Sequence, residues 1–206
     1  MTDRIITFSR QFGSGGGEIA KELAALLGVP YVDKAIIAEA ASASGIAKEY
    51  FEKADERRTN SFLFSLVAAS YGGSVAPLQP GDIITDDKLF IHAADAVKKL
   101  AATPCVIVGR CADDILADRK PARIFISADF PDRVARIARL RSLDEKAAAA
   151  LIRKTDKKRA SYYNFYTSKT WGAAENYDLC LNLSSLPNSS ALDLLQSFAT
   201  NFIPRD

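Results

Sequence analysis

Apolar residues fall along this chain in two rhythms. Short apolar-rich runs read as strands: Arg4-Ile-Ile-Thr-Phe8 and Pro104-Cys-Val-Ile-Val-Gly109 have the composition of buried ones, and Ala122-Arg-Ile-Phe-Ile-Ser127 and Asp178-Leu-Cys-Leu-Asn-Leu183 follow as further strands. Val29-Pro-Tyr-Val-Asp33 reads as a shorter strand ending in an acid. Between these runs, apolar residues recur at helical spacing. Ile19, Leu23, Leu26 and Leu27 form one such face. Phe90, Ala94, Val97 and Leu100 form a second, and Val134, Ile137 and Leu140 a third. Leu192, Leu195, Ala199 and Phe202 form the last. Gly28 stops the first helix. Thr85 can cap a later one, with Asp86 and Asp87 in its first turn. Asp129 with Pro131 opens another. Ser142-Leu-Asp-Glu145 is a capping-box pattern that predicts a long helix through Ile152 and Arg159 to about Tyr166. Strands separated by helices predict an α/β parallel sheet, with ligands at the carboxyl ends of its strands.

The stretch between the first strand and the first helix organises this pattern. Gly13-Ser-Gly-Gly-Gly17 cannot continue a strand and reads as a loop. Strand, glycine loop and helix make an anion cradle, because backbone N–H groups turn inward and the helix start adds partial positive charge. A standard phosphate loop also carries a lysine for the β- and γ-phosphates and a hydroxyl for Mg²⁺. Laid back from the helix, the lysine position falls on Gly16 and the hydroxyl position on Glu18, so both side chains are missing. The loop alone therefore fits either a strand-to-helix turn without a ligand or a degenerate phosphate loop. A dinucleotide fingerprint fits less well, since Gly13-x-Gly15 is not followed by a third glycine at the right spacing.

Composition narrows the classes. The chain has 206 residues, 48% of them hydrophobic, which suits a single domain, 1–206, with a full core. A net charge of +2 gives no bulk electrostatic case for nucleic acid or membrane binding. No apolar run approaches transmembrane length, and Met1-Thr-Asp-Arg4 enters a strand at once, so no signal peptide is expected. Cys105, Cys111 and Cys180 lack CxxC spacing and suggest reduced thiols in a cytoplasmic protein. A single histidine, His92, argues against a zinc site or a histidine-based triad.

The region after the second strand is less regular. Lys34 to Ser44 is alanine-rich and helical in pattern, and Ile46 to Tyr71 reads as one or two more helices with Tyr50, Phe51, Phe62 and Phe64. Gly72 to Gly81 is a loop and reads as part of an insertion near a binding site. Self-association through the helices of 46–71 is open as a further reading, with no specific signal of its own.

Charged residues gather after strand ends. They are the loop with Glu18, Asp33-Lys34, and Gly109-Arg110; a basic run, Arg153-Lys-Thr-Asp-Lys-Lys-Arg159, lies on the long helix. Several Arg and Lys side chains can stabilise a transferring phosphoryl group, and such chemistry needs no His or Cys nucleophile. The same residues also fit plainer roles. Arg153–Arg159 suits a solvated basic face, and Arg110 a salt bridge to Asp33, Asp113 or Asp114. Trp171, Tyr162, Tyr163 and Tyr166 suit either base stacking or core packing.

Four segments, Ser9–Ile37, Pro104–Leu116, Ile152–Trp171 and Asn176–Leu186, together resemble the cytidylate kinase-like family, a branch of the P-loop nucleoside monophosphate kinases. The resemblance covers nearly the whole chain in order and is weakest from about Gly45 to Ile84. It implies an α/β three-layer fold with a five-stranded parallel sheet of order 2-3-1-4-5. It also implies a helical acceptor-binding insertion over about 34–85 and a mobile lid over about 142–172. Carried over by position, Gly13, Ser14, Gly15, Gly16 and Gly17 would hold the donor phosphates, with Arg10 just before them. Asp33, with Lys34 beside it, would lie near the acceptor. Arg110 would face the phosphates at the reaction centre, and Arg159 would close the lid, with Arg153 as a substitute. Cys111 stands where the family carries an acid, and Gly17 where it often carries an arginine. Glu18 is both a carboxylate favourable to the helix start and a candidate Mg²⁺ ligand.

Two functional readings follow. In the first, the protein moves the γ-phosphoryl of ATP, with Mg²⁺, to a small acceptor such as the nucleoside monophosphate CMP. In the second it is a non-catalytic nucleotide- or anion-binding regulator on a kinase scaffold. If it is an active kinase, another cation must replace the loop lysine: Arg10, Arg110, Arg153 or Arg159. Arg153 and Arg159 are six residues apart and do not share a helix face, so one of them is expected to point inward, and Arg159 is the choice.

Overall fold

The computed structural model describes residues 4–42 and 86–203. The apolar runs form the strands β1 (Ile5–Arg10), β2 (Tyr31–Val32), β3 (Cys105–Val108), β4 (Ala122–Ser127) and β5 (Leu179–Asn182). They make one parallel sheet of order β2-β3-β1-β4-β5, the expected order. Strand β1 is central: Ile6 pairs with Val106 on one side and with Ala122 on the other. Its end and that of β3 therefore open side by side at the carboxyl edge, where the glycine loop begins.

Helices cover both faces, which explains why β3 is apolar throughout and why β1 and β4 are buried along most of their length. On one face Ile5, Cys105 and Ile107 pack under α2 (Lys34–Ser42), α3 (Asp86–Leu100) and α4 (Ala112–Ile115). On the other, Ile6, Phe8, Val106, Val108, Ile124 and Ile126 pack under α1 (Gly16–Leu27) and α7 (Asn188–Asn201). Period-two alternation thus sends neighbouring residues of one strand into two separate cores. A third, smaller core joins α5 (Phe130–Arg141) to α6 (Glu145–Thr167) through Val134, Ile137, Ala148 and Ile152. Phe12, two residues past β1, packs against it.

The helix boundaries follow the predicted caps with one correction. The capping box does not form at Ser142. That residue is left-handed (φ 53°) and closes α5, while Asp144 opens α6 and accepts a hydrogen bond from the Ala147 N–H at 2.7 Å. A tight α5–α6 connection needs a left-handed residue at Ser142, and a shorter acid two residues later is then placed to cap. Asp129 does precede α5, but its Oδ1 accepts from Asn182 Nδ2 at 2.8 Å and not from the helix. The expected helices of 46–71, the loop of 72–81 and the Thr85 cap lie outside the described residues.

Candidate functional site

The glycine loop is pressed onto the sheet. A Cβ on Gly16 would lie 2.7 Å from the Cβ of Arg10 and 2.9 Å from that of Ile126. The lysine position therefore cannot carry a lysine without moving the backbone off β1 and β4. Gly15 is the left-handed residue (φ 84°) from which α1 starts, and its carbonyl accepts from the N–H groups of Glu18 and Ile19. Ser14 Oγ donates to the Gln11 carbonyl at 2.9 Å and accepts from the Gly16 N–H at 3.2 Å. The position of Gly17 faces open space.

A cavity of about 240 Å³ opens at the ends of β1 and β3. Arg10, Arg110, Arg159, Lys34 and Lys158 line it, with Tyr162, Tyr163 and Trp171, and none of the lining residues is acidic. The Arg10 guanidinium lies against Gly109, where an added Cβ would meet its Nη1 at 2.5 Å. Burial, with Arg159 and Arg110 alongside, pushes Arg10 down to about 9. Burial also lowers Arg159, with Asp156 opposing. Cations held this way favour an anion as their occupant.

Arg110 is aimed by an unusual turn. Gly109, Arg110 and Cys111 have φ of 82°, 59° and 55°, three consecutive left-handed residues, two of them not glycine. Such residues cost about 1–3 kcal/mol each and persist where their surroundings hold them. Here the hold is the start of α4. The Tyr163 hydroxyl donates to Asp113 Oδ2 at 2.7 Å, and Lys169 Nζ pairs with Asp114 Oδ1 at 2.7 Å. The Arg110 guanidinium lies over the Tyr162 ring, 5.7 Å from its centroid. Burial raises the Asp113 carboxyl above its ordinary range, although the bond from Tyr163 favours its charged form.

Helix α6 reaches the loop directly. Asp156 Oδ1 accepts from the Phe12 N–H at 2.7 Å, and Oδ2 pairs with Arg133 Nη1 at 2.5 Å. One turn on, Arg159 Nη1 donates to the Arg10 carbonyl at 2.8 Å. Asp156 and Arg159 thus hold both sides of Gln11 at the entrance to the glycines. Arg153 points elsewhere, over the Phe130 ring at 4.6 Å.

A second cavity, about 480 Å³, is lined by the glycine loop itself. Gly13, Ser14, Gly15 and Glu18 face Asp132, Arg136 and Arg139 of α5 across it, with Leu183, Leu186 and Asn188 at its edge. Glu18 is ion-paired there to Arg136. Glu18, the candidate Mg²⁺ ligand, is thus already engaged by a cation, and the described residues gather no group of three or more His, Cys, Asp or Glu; Mg²⁺ here would be held chiefly by the nucleotide's phosphates and water.

Of the residues singled out from sequence, Arg10, Lys34, Arg110 and Arg159 come together in the first cavity, while the loop and Glu18 face the second. Asp33 caps α2, its Oδ1 accepting from the N–H groups of Ala35 and Ile36 at 2.9 and 3.2 Å. Asp113 and Asp114, offered as partners for Arg110, are engaged by Tyr163 and Lys169. Tyr166 stacks on Phe90, with centroids 3.8 Å apart. The sequence reading missed Arg136. Its one signal was the spacing of Arg133, Arg136 and Arg139, which sets arginines three apart along a helix.

A parallel sheet of this order, with a glycine loop between its central strand and first helix, defines a P-loop kinase fold. Residues 5–185 match the model of the cytidylate kinase-like family, and the chain belongs to that family. It is similar to an uncharacterized protein from Eubacterium ventriosum ATCC 27560, with 28% identity and a TM-score of 0.69 over 97% of this chain and 99% of the other. A shikimate kinase from Bacteroides thetaiotaomicron (14% identity, TM-score 0.52, 96% and 98% covered) shares the fold. So does a gluconokinase from Sinorhizobium meliloti 1021 (14% identity, TM-score 0.50, 97% and 92% covered). No curated protein sequence matches significantly.

Proposed function

We propose that this protein is a nucleotide-dependent phosphotransferase that moves the γ-phosphoryl of ATP to a small anionic acceptor, with a nucleoside monophosphate such as CMP as the leading candidate. One observation carries the reading: two cavities adjoin the strand-to-helix turn, one lined by its glycines with Arg136 and Arg139, and one at Arg10 just before it, lined by five cations. Two ligands that exchange a phosphoryl group need this arrangement, with their phosphates meeting across one anion cradle. In this reading the donor lies in the larger cavity with its phosphates on the loop. The acceptor's own anionic group is drawn to Arg10, Arg110 and Arg159. Arg110 faces the transferring group, where preorganised charge lowers the barrier. Helix α6, with Arg159 bound to the carbonyl of Arg10, keeps water from the centre. The acceptor-binding insertion of about 34–85 and the lid of about 142–172 belong to this proposal.

The test is a transfer assay. Purified protein is incubated with Mg·ATP and a panel of nucleoside monophosphates and small hydroxy acids, and ADP formation is followed. Acceptor-dependent ADP release supports the reading. ATP binding by calorimetry with no transfer to any acceptor would replace it with the non-catalytic regulator, the reading that the obstructed lysine position at Gly16 favours.

A further inference from the structure

The two departures from a standard phosphate loop, no lysine and an acid at the hydroxyl position, have a single explanation in the larger cavity. Gly16 sits too close to Arg10 and Ile126 for any side chain, so a cation for the loop must come from another element. Arg136 of α5 supplies one. The Cζ, Nη1 and Nη2 of Arg136 are each 3.5 Å from where a Cβ on Gly15 would stand, so the guanidinium lies face-on to the loop. A Cβ at position 15 would only touch the guanidinium; glycine stands there for its left-handed backbone, φ 84°. Glu18, in the first turn of α1, pairs with Nη2. A guanidinium carries five N–H donors, and the contact with Glu18 uses Nη2, so Nη1 and Nε keep donors for a ligand. Arg136 side-chain exposure is 31%, enough for a ligand to reach it from the cavity. Asp132 and Arg139 are the other charged groups of α5 on this cavity.

We infer that Arg136 binds the donor's terminal phosphates in place of the absent lysine, and that Glu18 is the positioning residue that holds Arg136 over the loop and not a metal ligand. The inference rests on the phosphotransferase reading for the identity of the donor, but it concerns binding and is tested without transfer. Glu18 is a carboxylate beside an anion site, an unfavourable placement by itself. Its attraction for Arg136 offsets that, because an ordered guanidinium binds phosphate with less loss of side-chain freedom.

The experiment measures binding of inorganic triphosphate and of ATP by calorimetry, over a range of Mg²⁺ concentrations. Wild type is compared with Arg136→Ala, Arg136→Lys, Glu18→Gln and the double variant Arg136→Ala/Glu18→Gln, with circular dichroism and melting curves as folding controls. Arg136→Ala should weaken triphosphate binding about 10- to 100-fold, the scale of one charge-assisted contact. Arg136→Lys should restore part of it. Glu18→Gln should weaken binding about 3- to 10-fold, and only while Arg136 is present, so the double variant should bind no worse than Arg136→Ala. The Mg²⁺ dependence of ATP binding should be unchanged in Glu18→Gln. Additive losses, a raised Mg²⁺ requirement in Glu18→Gln, or tighter binding in Glu18→Gln would each overturn the role given to Glu18. Unchanged binding in folded Arg136→Ala would overturn the whole inference. If no acceptor is phosphorylated but Arg136→Ala still loses triphosphate, the proposed reaction falls and this inference stands.

Discussion

Arg110 is the residue on which the cationic cavity turns, and the reason is its backbone. Its left-handed conformation, between Gly109 and Cys111 in the same region, aims the guanidinium from the end of β3 across the Tyr162 ring. Arg110→Ala removes the charge and keeps the turn's anchors at Asp113 and Asp114. The phosphoryl-transfer rate should therefore fall at least about 10²-fold, with little change in the urea midpoint. Full activity in the folded variant would exclude Arg110 from the reaction centre. Residues such as Arg10 and Arg110 were legible in sequence because each closes an apolar strand, and strand ends converge whatever the rest of the chain does. Glu18 was not. Its partner Arg136 is 118 positions away, and nothing local distinguishes an acid that holds an arginine from one that complements a helix start. The blocked side-chain position at Gly16 was equally hidden, since a glycine in sequence does not say whether it serves a dihedral angle or a close approach.

Among the elements, α6 departs most from what its sequence suggests. A basic run on a long helix reads as a solvated face or a mobile flap. Instead Asp156 and Arg159, three apart, face the loop together and bond to Phe12 and Arg10. Arg153 falls on the other side, over Phe130. Helical spacing made that division readable, but not what the inward face would touch. The difference should appear in kinetics. Arg159→Ala should lower single-turnover transfer about 10- to 100-fold while changing ATP affinity less, because its charge lies in the cation-lined cavity and not on the glycines. Arg153→Ala should change transfer less than about 3-fold, as expected for an exposed stacking contact. Equal loss of affinity and rate in Arg159→Ala would show instead that it binds ground and transition states alike. Strand β3 was the easiest element to read, because burial on both faces leaves an unbroken apolar run. The cap of α6 was misplaced because two overlapping signals, Ser142 and Asp144, competed, and the tight turn chose between them.

For the molecule as a whole, sheet order and layers were legible and the site only in part, since a topology fixes which ends meet but not which side chains bond across them. The Asp113–Tyr163 contact joins α4 to α6 and puts a buried carboxyl in the fold's stability. Its pKa is raised in the folded protein above the ordinary 3.8, so the folded state holds that proton to higher pH than the unfolded chain. The contribution of Asp113 to stability is therefore largest below its unfolded value and declines as pH rises through the raised one. Asp113→Asn keeps an acceptor for Tyr163 and removes the titration. Urea midpoints between about pH 4 and pH 8 should fall more for wild type than for Asp113→Asn over the raised pKa. Parallel profiles would show that Asp113 ionises as easily as in the unfolded chain. The cation-lined cavity has a consequence of the same kind but larger reach. Bringing Arg10 inside, next to Arg159 and Arg110, loads the native state with electrostatic work. An anion that fits returns that work on binding, and its concentration enters the folding equilibrium as a stabilising factor. How much of this chain stays folded in its cell is thereby tied to how much of that anion is present.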